Sequence, residues 1–170
     1  MPKLKLVPLG EVPDYLIADI IEELRGMRTI TEQSAALTLP AETYNPIRHQ
    51  HLSEKVLEFL LKNSNGRTLG ITDKDMYTGD LSYIFGQAQL NGAVAVVSIH
   101  RLDPRFYRED ENQELFKERA IKECLHEVGH LLGLRHCENV PCVMGFSNTI
   151  MDVDTKGKEL CNSCRNLLRL

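Results

Sequence analysis

The sequence lacks the features that would send a chain into a membrane or along the secretory route. Its longest clean apolar runs, such as Ala93–Val97, are much shorter than the roughly 20 residues that a membrane-spanning helix needs. Near the N-terminus, Lys3–Val7 alternates polar and apolar side chains and does not resemble the apolar core of a signal peptide. We therefore expect a cytoplasmic protein with no membrane partner.

A strong charge imbalance, internal repeats, low-complexity blocks and an obvious linker are also missing. The formal net charge is only -4, which gives no reason to expect nucleic acid as a partner. The 170 residues, with 42% hydrophobic and 26% charged side chains, suit one globular domain with a real core. We predict a single domain over residues 1–170 and a monomer.

The first hundred residues predict an α/β layer. Apolar residues at helical spacing predict a helix that begins near Asp14 and another that Ser53 caps. The turn at Asn91-Gly92 favours a reversal between the last two strand candidates, so one of that pair should run antiparallel to the rest. Five segments are predicted as strands: Lys3–Val7, Ala35–Leu39, Thr68–Thr72, Leu81–Gln87 and Ala93–His100.

A long helical pattern from Asp110 to Leu134 contains the chemistry, and the chain beyond it looks irregular apart from a possible closing helix at Cys164–Leu170. The pattern includes His126-Glu127-x-x-His130, whose histidines lie about 40° apart around a helix and about 6 Å apart along its axis. Both imidazoles can therefore reach one zinc ion. Glu127 can reach a water at the metal without binding the metal itself.

Two further residues complete this group. Gly133 can take the left-handed conformation that ends a helix, so the chain can bend back and bring His136 to the metal as a third ligand. The apolar stripe of the helix faces away from the histidines, as a cleft wall requires. The alternative is a helix with surface histidines that bind nothing. The stripe consists of Ile121, Leu125, Val128 and Leu132.

All five cysteines lie in the last third of the chain. A secreted protein stabilised by disulfides would more often spread an even number of cysteines along its length. Four of them form spaced pairs beside the histidines, which favours metal ligation in a chain without an export signal, with two disulfides as the alternative. The fifth, Cys124, is predicted to be a small buried hydrophobic residue.

The combined motif resembles the metzincin clan of zinc peptidases, and its continuation resembles the archaemetzincins (archaelysins) within that clan. Their signature places a cysteine directly after the third histidine, then a second cysteine, a methionine two residues later and a distant Cys-x-x-Cys. The matching residues here are Cys137, Cys142, Met144, Cys161 and Cys164.

The resemblance implies a metzincin-like fold, in which a twisted mixed sheet has one antiparallel edge strand above the cleft. It divides the domain into an upper α/β part with the active-site helix (1–133) and an irregular C-terminal part (134–170). Substrate would pair with the edge strand near Gly86–Ala88, although an ordinary sheet strand would show the same pattern. Met144 would form the Met-turn beneath the histidines; plain core packing is its alternative role.

The resemblance also implies a zinc-dependent peptidase with two zinc ions. His126, His130 and His136 would hold the catalytic ion, with Glu127 as the general base for a metal-activated water. The four thiolates of Cys137, Cys142, Cys161 and Cys164 would hold a structural ion, because they leave no position for water. The rival functions are a two-zinc scaffold without turnover and a zinc hydrolase of a non-peptide substrate.

Two departures from metzincins qualify this prediction. Some members have a tyrosine two residues after the Met-turn methionine, where this chain has Phe146. A pro-segment with an inhibitory cysteine is also missing, so control of that kind is not expected. The histidines outside the motif are predicted to be ordinary surface or core residues: His49, His51 and His100.

Overall fold

The computed structural model of the chain describes residues 1–79 and 81–170. The strands are β1 (Lys3–Leu9), β2 (Ile30–Gln33), β3 (Tyr44–Asn45), β4 (Gln50–Leu52), β5 (Arg67–Thr72), β6 (Met76–Tyr77), β7 (Gly86–Ala88) and β8 (Val94–Ser98). The α-helices are α1 (Asp14–Leu24), α2 (Ser53–Asn63), α3 (Gln113–Leu131), α4 (Ile150–Thr155) and α5 (Asn162–Leu168), and short 3-10 turns lie at Arg25–Met27, Ala41–Thr43 and Pro104–Tyr107.

The main sheet has five strands in the order β2-β1-β5-β8-β7. Its first four strands are parallel to one another, and β7 runs antiparallel to β8 along the edge. Gly86 of β7 lies opposite Val97 of β8, and Ala88 lies opposite Ala95. The predicted mixed sheet with one antiparallel edge strand is confirmed.

Both faces of this sheet are covered, which explains why every residue of β8 is buried. Successive side chains of a strand point to opposite faces, so Val97 packs into the core beneath α1 and α3, while Val96 packs against α2. Complete burial of one such side chain stabilises the fold by about 1.5–3 kcal/mol. The long helix α3 is thereby fixed against the sheet beside β7 and β8.

The N-terminal strand differs from the prediction in its length. The predicted strand ended at Val7, yet β1 continues through Pro8 to Leu9. The Pro8 carbonyl accepts a hydrogen bond from the Leu37 N–H on the side where β2 has already ended. The missing N–H of Pro8 points to that same side, so its absence removes no hydrogen bond between β1 and β5.

Other elements lie where the sequence gave little signal. The second strand is Ile30–Gln33, so the predicted strand at Ala35–Leu39 was wrong. A second sheet, with the order β3-β4-β6, was not predicted, because its strands of two or three residues are too short to show alternation. Helix α4 was not predicted, and α5 begins at Asn162.

Helix α3 begins at Gln113 and not at the predicted Asp110, and it ends at Leu131 and not at Leu134. The Asn112 side chain caps the first turn by accepting a hydrogen bond from the Leu115 N–H. At the other end, Gly133 has a φ of 102°, the left-handed conformation predicted for a bend. Within residues 1–79 and 81–170, no helix combines the length and apolar character required to cross a membrane.

Candidate metal centres and cleft

Three histidines converge at the C-terminal end of α3. His126 and His130 lie on the helix, and the bend at Gly133 brings His136 back to them. One ring nitrogen from each lies within 4.8 Å of the others. The Nε2 atoms of His126 and His130 are only 3.1 Å apart. The structure therefore brings together the three histidines that the motif singled out.

The hydrogen bonds of two of these rings define their tautomers. His126 Nδ1 lies 2.9 Å from the Val143 carbonyl oxygen, and His130 Nδ1 lies 2.7 Å from that of Leu134. A carbonyl oxygen can only accept, so each Nδ1 donates and each neutral ring presents an Nε2 lone pair. Two lone pairs 3.1 Å apart repel each other unless a cation lies between them.

Zinc fits this set of donors. Zinc–nitrogen bonds of 2.0–2.1 Å in a tetrahedral site separate the ligand atoms by about 3.3–3.4 Å, close to the observed spacing. Burial is the main factor that lowers the pKa of His126, His130 and His136, which favours the neutral imidazole that binds a metal.

The turn beneath the histidines contains Met144. This side chain is completely buried, and its Sδ fills the space that a Cβ on Gly129 of α3 would take. The Met144 carbonyl accepts a hydrogen bond of 3.0 Å from the Cys137 N–H. The turn therefore lies against the helix on one side and against the residue that follows His136 on the other.

Glu127 is buried between α3 and the edge strand. A Cβ built on Gly86 would lie 2.6 Å from Glu127 Oε1 and 2.8 Å from its Cγ, so the glycine leaves the space that this carboxylate occupies. Burial raises the pKa of Glu127 well above its usual range, the nearby Glu123 raises it further, and Lys156 opposes the shift. The carboxylate predicted to work at the metal is thus enclosed beside β7.

Sequence reasoning missed an ion pair next to this carboxylate. Lys156 Nζ lies 2.8 Å from Glu123 Oε1 and forms a salt bridge with it, although the geometry is not that of a hydrogen bond. Both side chains are about 95% buried. The same ammonium donates to the Gly145 carbonyl at 3.2 Å. Glu123 precedes Glu127 by one helical turn, which is a usable sequence signal; nothing in the sequence around Lys156 indicates its partner.

A cavity of about 380 Å³ opens over the histidines and Glu127. One wall is formed by β7 together with the residues just before and after it, and the opposite wall is formed by residues 146–148. Tyr83 donates a hydrogen bond of 2.9 Å to the Asn148 carbonyl and so links the two walls at one end. Phe146 packs on His136 with their ring centroids 5.1 Å apart, in the position where some metzincins carry a tyrosine.

The four cysteines of the tail form a second cluster. The Sγ atoms of Cys137 and Cys161 are 3.8 Å apart, as are those of Cys142 and Cys164, and all four sulfurs lie within 4.8 Å of one another. A disulfide would bring two sulfurs to about 2.05 Å. Zinc–sulfur bonds of about 2.3 Å in a tetrahedral site separate the sulfurs by about 3.8 Å. The spacing therefore suits a shared metal ion and not two disulfides.

Neighbouring groups favour charged sulfur at Cys161, whereas burial raises the pKa of the Cys137 and Cys164 thiols. Cys161 is the residue before α5, and the Cys164 N–H is the main cause that lowers the pKa of the Cys161 thiol to about 6. The Asn139 side-chain amide also donates to Cys161 Sγ, at 3.7 Å. The remaining cysteine, Cys124, is completely buried in the main core and belongs to neither cluster.

The other histidines take no part in these clusters. His49, His51 and His100 line a separate cavity beside the small sheet. In the described part of the chain, the histidine and cysteine clusters are the two groups with metal-ligand spacing.

Comparison with known proteins agrees with this geometry. A sequence profile of peptidase family M54 matches residues 38–170. An archaemetzincin from Thermococcus kodakarensis is 41% identical over 96% of this chain and 94% of its own length. The crystal structure of archaemetzincin from Methanopyrus kandleri superimposes with a TM-score of 0.88 at 35% identity, covering 99% of this chain and 93% of that one.

A third comparison concerns the metal. The crystal structure of a zinc-dependent peptidase from Methanocorpusculum labreanum has a TM-score of 0.86 and 30% identity, covering 97% of this chain and 99% of that one. The predicted resemblance to archaemetzincins is confirmed by these matches. The chain belongs to peptidase family M54 and is a zinc metallopeptidase of the archaemetzincin type.

Proposed function

We propose that this peptidase uses two zinc ions, one catalytic and one structural. His126, His130 and His136 hold the catalytic ion. The observation that carries this assignment is the 3.1 Å approach of two Nε2 lone pairs whose rings are fixed by Nδ1 hydrogen bonds to carbonyls. The structural ion is held by the sulfurs of Cys137, Cys142, Cys161 and Cys164.

The reaction is the hydrolysis of a peptide bond. Bound zinc supplies a Lewis acid that acidifies a water molecule and polarises the scissile carbonyl. Glu127 takes the proton of the attacking water and delivers it to the leaving amine. Its carboxylate is held for this role by the close contact with Gly86 and by enclosure beneath the edge strand.

The peptide lies along β7. One edge of this strand pairs with β8, and the other edge faces the cleft. An extended peptide can add to such an edge through main-chain hydrogen bonds, which do not depend on its side chains. Gly86–Ala88 is thus the segment that aligns the scissile bond above Glu127.

The domain has two parts in this proposal. Residues 1–133 supply the sheet, α3 and the two helical ligands, and residues 134–170 supply the third histidine, the Met-turn and the structural site. A monomeric, cytoplasmic enzyme without nucleic-acid or membrane partners stays a prediction from the composition.

Replacement of Glu127 tests the mechanism. The Glu127→Gln chain should lose about 100-fold to 10,000-fold in kcat, because the amide cannot accept a proton, while it retains two zinc ions. Hydrolysis of a peptide library, with sequencing of the products, measures the loss and identifies the bonds that are cut. Glu114→Gln, an exposed glutamate of the first turn of α3, is the matched control and should cleave normally.

The same experiment separates the rival functions. Unchanged hydrolysis by Glu127→Gln would exclude Glu127 as the base. A chain that binds both metals but cleaves neither peptides nor other substrates would be a scaffold, and cleavage of a non-peptide substrate alone would identify a different hydrolase.

Metal content tests the two-site assignment. We expect two zinc ions per chain by elemental analysis. A chelator should remove the ion at the histidines first, because that site opens to the cleft, and should stop hydrolysis while the cysteine-bound ion remains. One zinc ion per chain together with four titratable thiols in the tail would contradict the structural site.

A further inference from the structure

Arg135 stands out among the charged residues that line the cleft. Two other charged side chains there, Glu123 and Glu127, are at least 95% buried. Arg135 is exposed, and within residues 1–79 and 81–170 its guanidinium makes no ion pair and no hydrogen bond. Its positive charge is therefore available to a molecule that enters the cavity.

The backbone that carries Arg135 is firmly held. The preceding residue, Leu134, is 1% exposed, donates its N–H to the Gly129 carbonyl at 2.9 Å and accepts a hydrogen bond from His130 Nδ1 at 2.7 Å. The following residue is His136, in the histidine cluster. The backbone of Arg135 is thus held between the buried Leu134 and the candidate third ligand His136, so its Cα has a defined position beside the metal site.

Its place along the cleft can also be assigned. The His130 carbonyl accepts a hydrogen bond of 2.8 Å from the Asn91 N–H, so the turn after β7 lies against the end of α3 from which the Arg135 segment continues. Leu90, in that turn, lines the cavity together with Arg135. The link between Tyr83 and Asn148 closes the cleft near the segment that enters β7.

In the described part of the chain, neither of the two carboxylates that line the cavity pairs with this cation. Glu123 is compensated by Lys156 at 2.8 Å, and Glu127 is covered by β7. An arginine can bind a carboxylate through two parallel hydrogen bonds, which gives both affinity and orientation. The complementary group on a peptide is a carboxylate, supplied by an acidic side chain or by the free C-terminus.

We propose that Arg135 determines specificity by binding a carboxylate of the peptide substrate at the Leu90 end of the cleft. The inference rests on the peptidase function described above. Because this carboxylate takes no part in the cleavage of the scissile bond, the contact forms equally in the ground state and the transition state, so its loss should raise KM more than it lowers kcat.

Matched peptide pairs test the proposal on the zinc-loaded chain. One set exchanges Glu for Gln at each position around a scissile bond, and the other exchanges a free C-terminal carboxylate for an amide. We expect the wild-type chain to prefer the carboxylate member of at least one pair by about tenfold to a hundredfold in kcat/KM, as a charge-assisted bidentate contact would give. The set that shows the preference identifies its source.

Two variants and a control complete the test. Arg135→Gln should remove the difference between the members of the pair, mainly through KM, with zinc content unaltered. Arg135→Lys should retain part of it, because the charge remains and the bidentate geometry does not. Arg25→Gln, an exposed arginine at the end of α1, should retain the full preference.

The outcomes separate this inference from the peptidase assignment. If the wild-type chain cleaves peptides without any preference for a carboxylate, or if the preference survives in Arg135→Gln, Arg135 is not the determinant and the peptidase assignment stands. If the wild-type chain cleaves no peptide at all, both fail.

Discussion

The histidine cluster and the cysteine cluster are neighbours in the chain but differ in construction. The histidine cluster offers three neutral nitrogens and faces a cavity of about 380 Å³. The cysteine cluster offers four sulfurs, and Cys142 and Cys164 are almost completely buried. Three ligands beside a cavity leave a position for a reacting molecule, whereas four ligands complete a tetrahedral site.

The supports of the two clusters differ as well. His126 and His130 project from a helix of 19 residues that the main core holds in place. Cys164 lies on the seven-residue helix α5 and Cys161 directly before it, while Cys137 and Cys142 lie outside the helices. Helix α5 adds a single residue, Cys164, to the buried part of that core. We therefore expect the histidine cluster to depend less on a metal ion for its folding than the cysteine cluster does.

Breaking each cluster in turn gives the largest expected contrast. Cys142→Ser should lower the unfolding free energy by more than about 4 kcal/mol and the thermal midpoint by roughly 10 °C. It should also lower the zinc content of both sites, because Cys137 adjoins His136. His130→Ala should lose only the catalytic ion and little stability.

Elemental analysis and thermal unfolding measure both variants. Cys124→Ala provides the control for the loss of a buried cysteine, and it should retain two zinc ions. A Cys142→Ser chain that keeps a full catalytic site and its thermal midpoint would show that the two clusters are independent.

The next largest effect is expected for the ion pair of Glu123 and Lys156, which joins α3 to the segment after α4. Lys156→Met leaves the Glu123 carboxylate buried without a partner, so we expect a loss of about 3–5 kcal/mol in urea unfolding. The double variant Lys156→Met/Glu123→Leu should regain much of this loss, because it buries no charge. Lys158→Met removes the exposed contact with Glu23 and should change stability by less than about 1 kcal/mol.

A double variant as unstable as Lys156→Met alone would mean that packing, and not the unpaired charge, causes the loss. The pair would then not act as an electrostatic link between α3 and the segment after α4.

The smallest change adds one methyl group beside Glu127, the proposed general base. Gly86→Ala places a Cβ against Glu127, which is too enclosed to move freely, so kcat should fall about tenfold to a hundredfold while zinc content stays the same. Peptide hydrolysis measures the effect. Gly26→Ala, where a Cβ would meet no atom within 4 Å, is the control. Normal hydrolysis by Gly86→Ala would mean that the carboxylate does not need its place beside β7.

Local patterns were sufficient for one part of this molecule. The spacing of His126 and His130 on a helix and the bend at Gly133 follow from the geometry of a few consecutive residues, and the structure reproduces both. The turn at Asn91-Gly92 likewise indicated the reversal that makes β7 antiparallel. The cysteine spacing indicated a metal cluster because its pairs are close in sequence.

Long-range contacts could not be predicted in this way. Lys156 meets Glu123, and Gly86 meets Glu127, only after the tail and the edge strand have packed on α3. The role proposed for Arg135 likewise depends on which surrounding charges are already paired. The small sheet was missed for a different reason, because its strands are too short to carry a period.

Position 129 is unrestricted in the general His-Glu-x-x-His pattern, yet in this chain it has room for hydrogen alone because Met144 fills the adjoining space. A larger residue at 129 therefore requires the Met144 side chain to move or a shorter residue to replace it. The two positions are expected to covary among relatives, although they lie on different segments. A pattern that treats them as independent would accept sequences in which the turn cannot close against the helix.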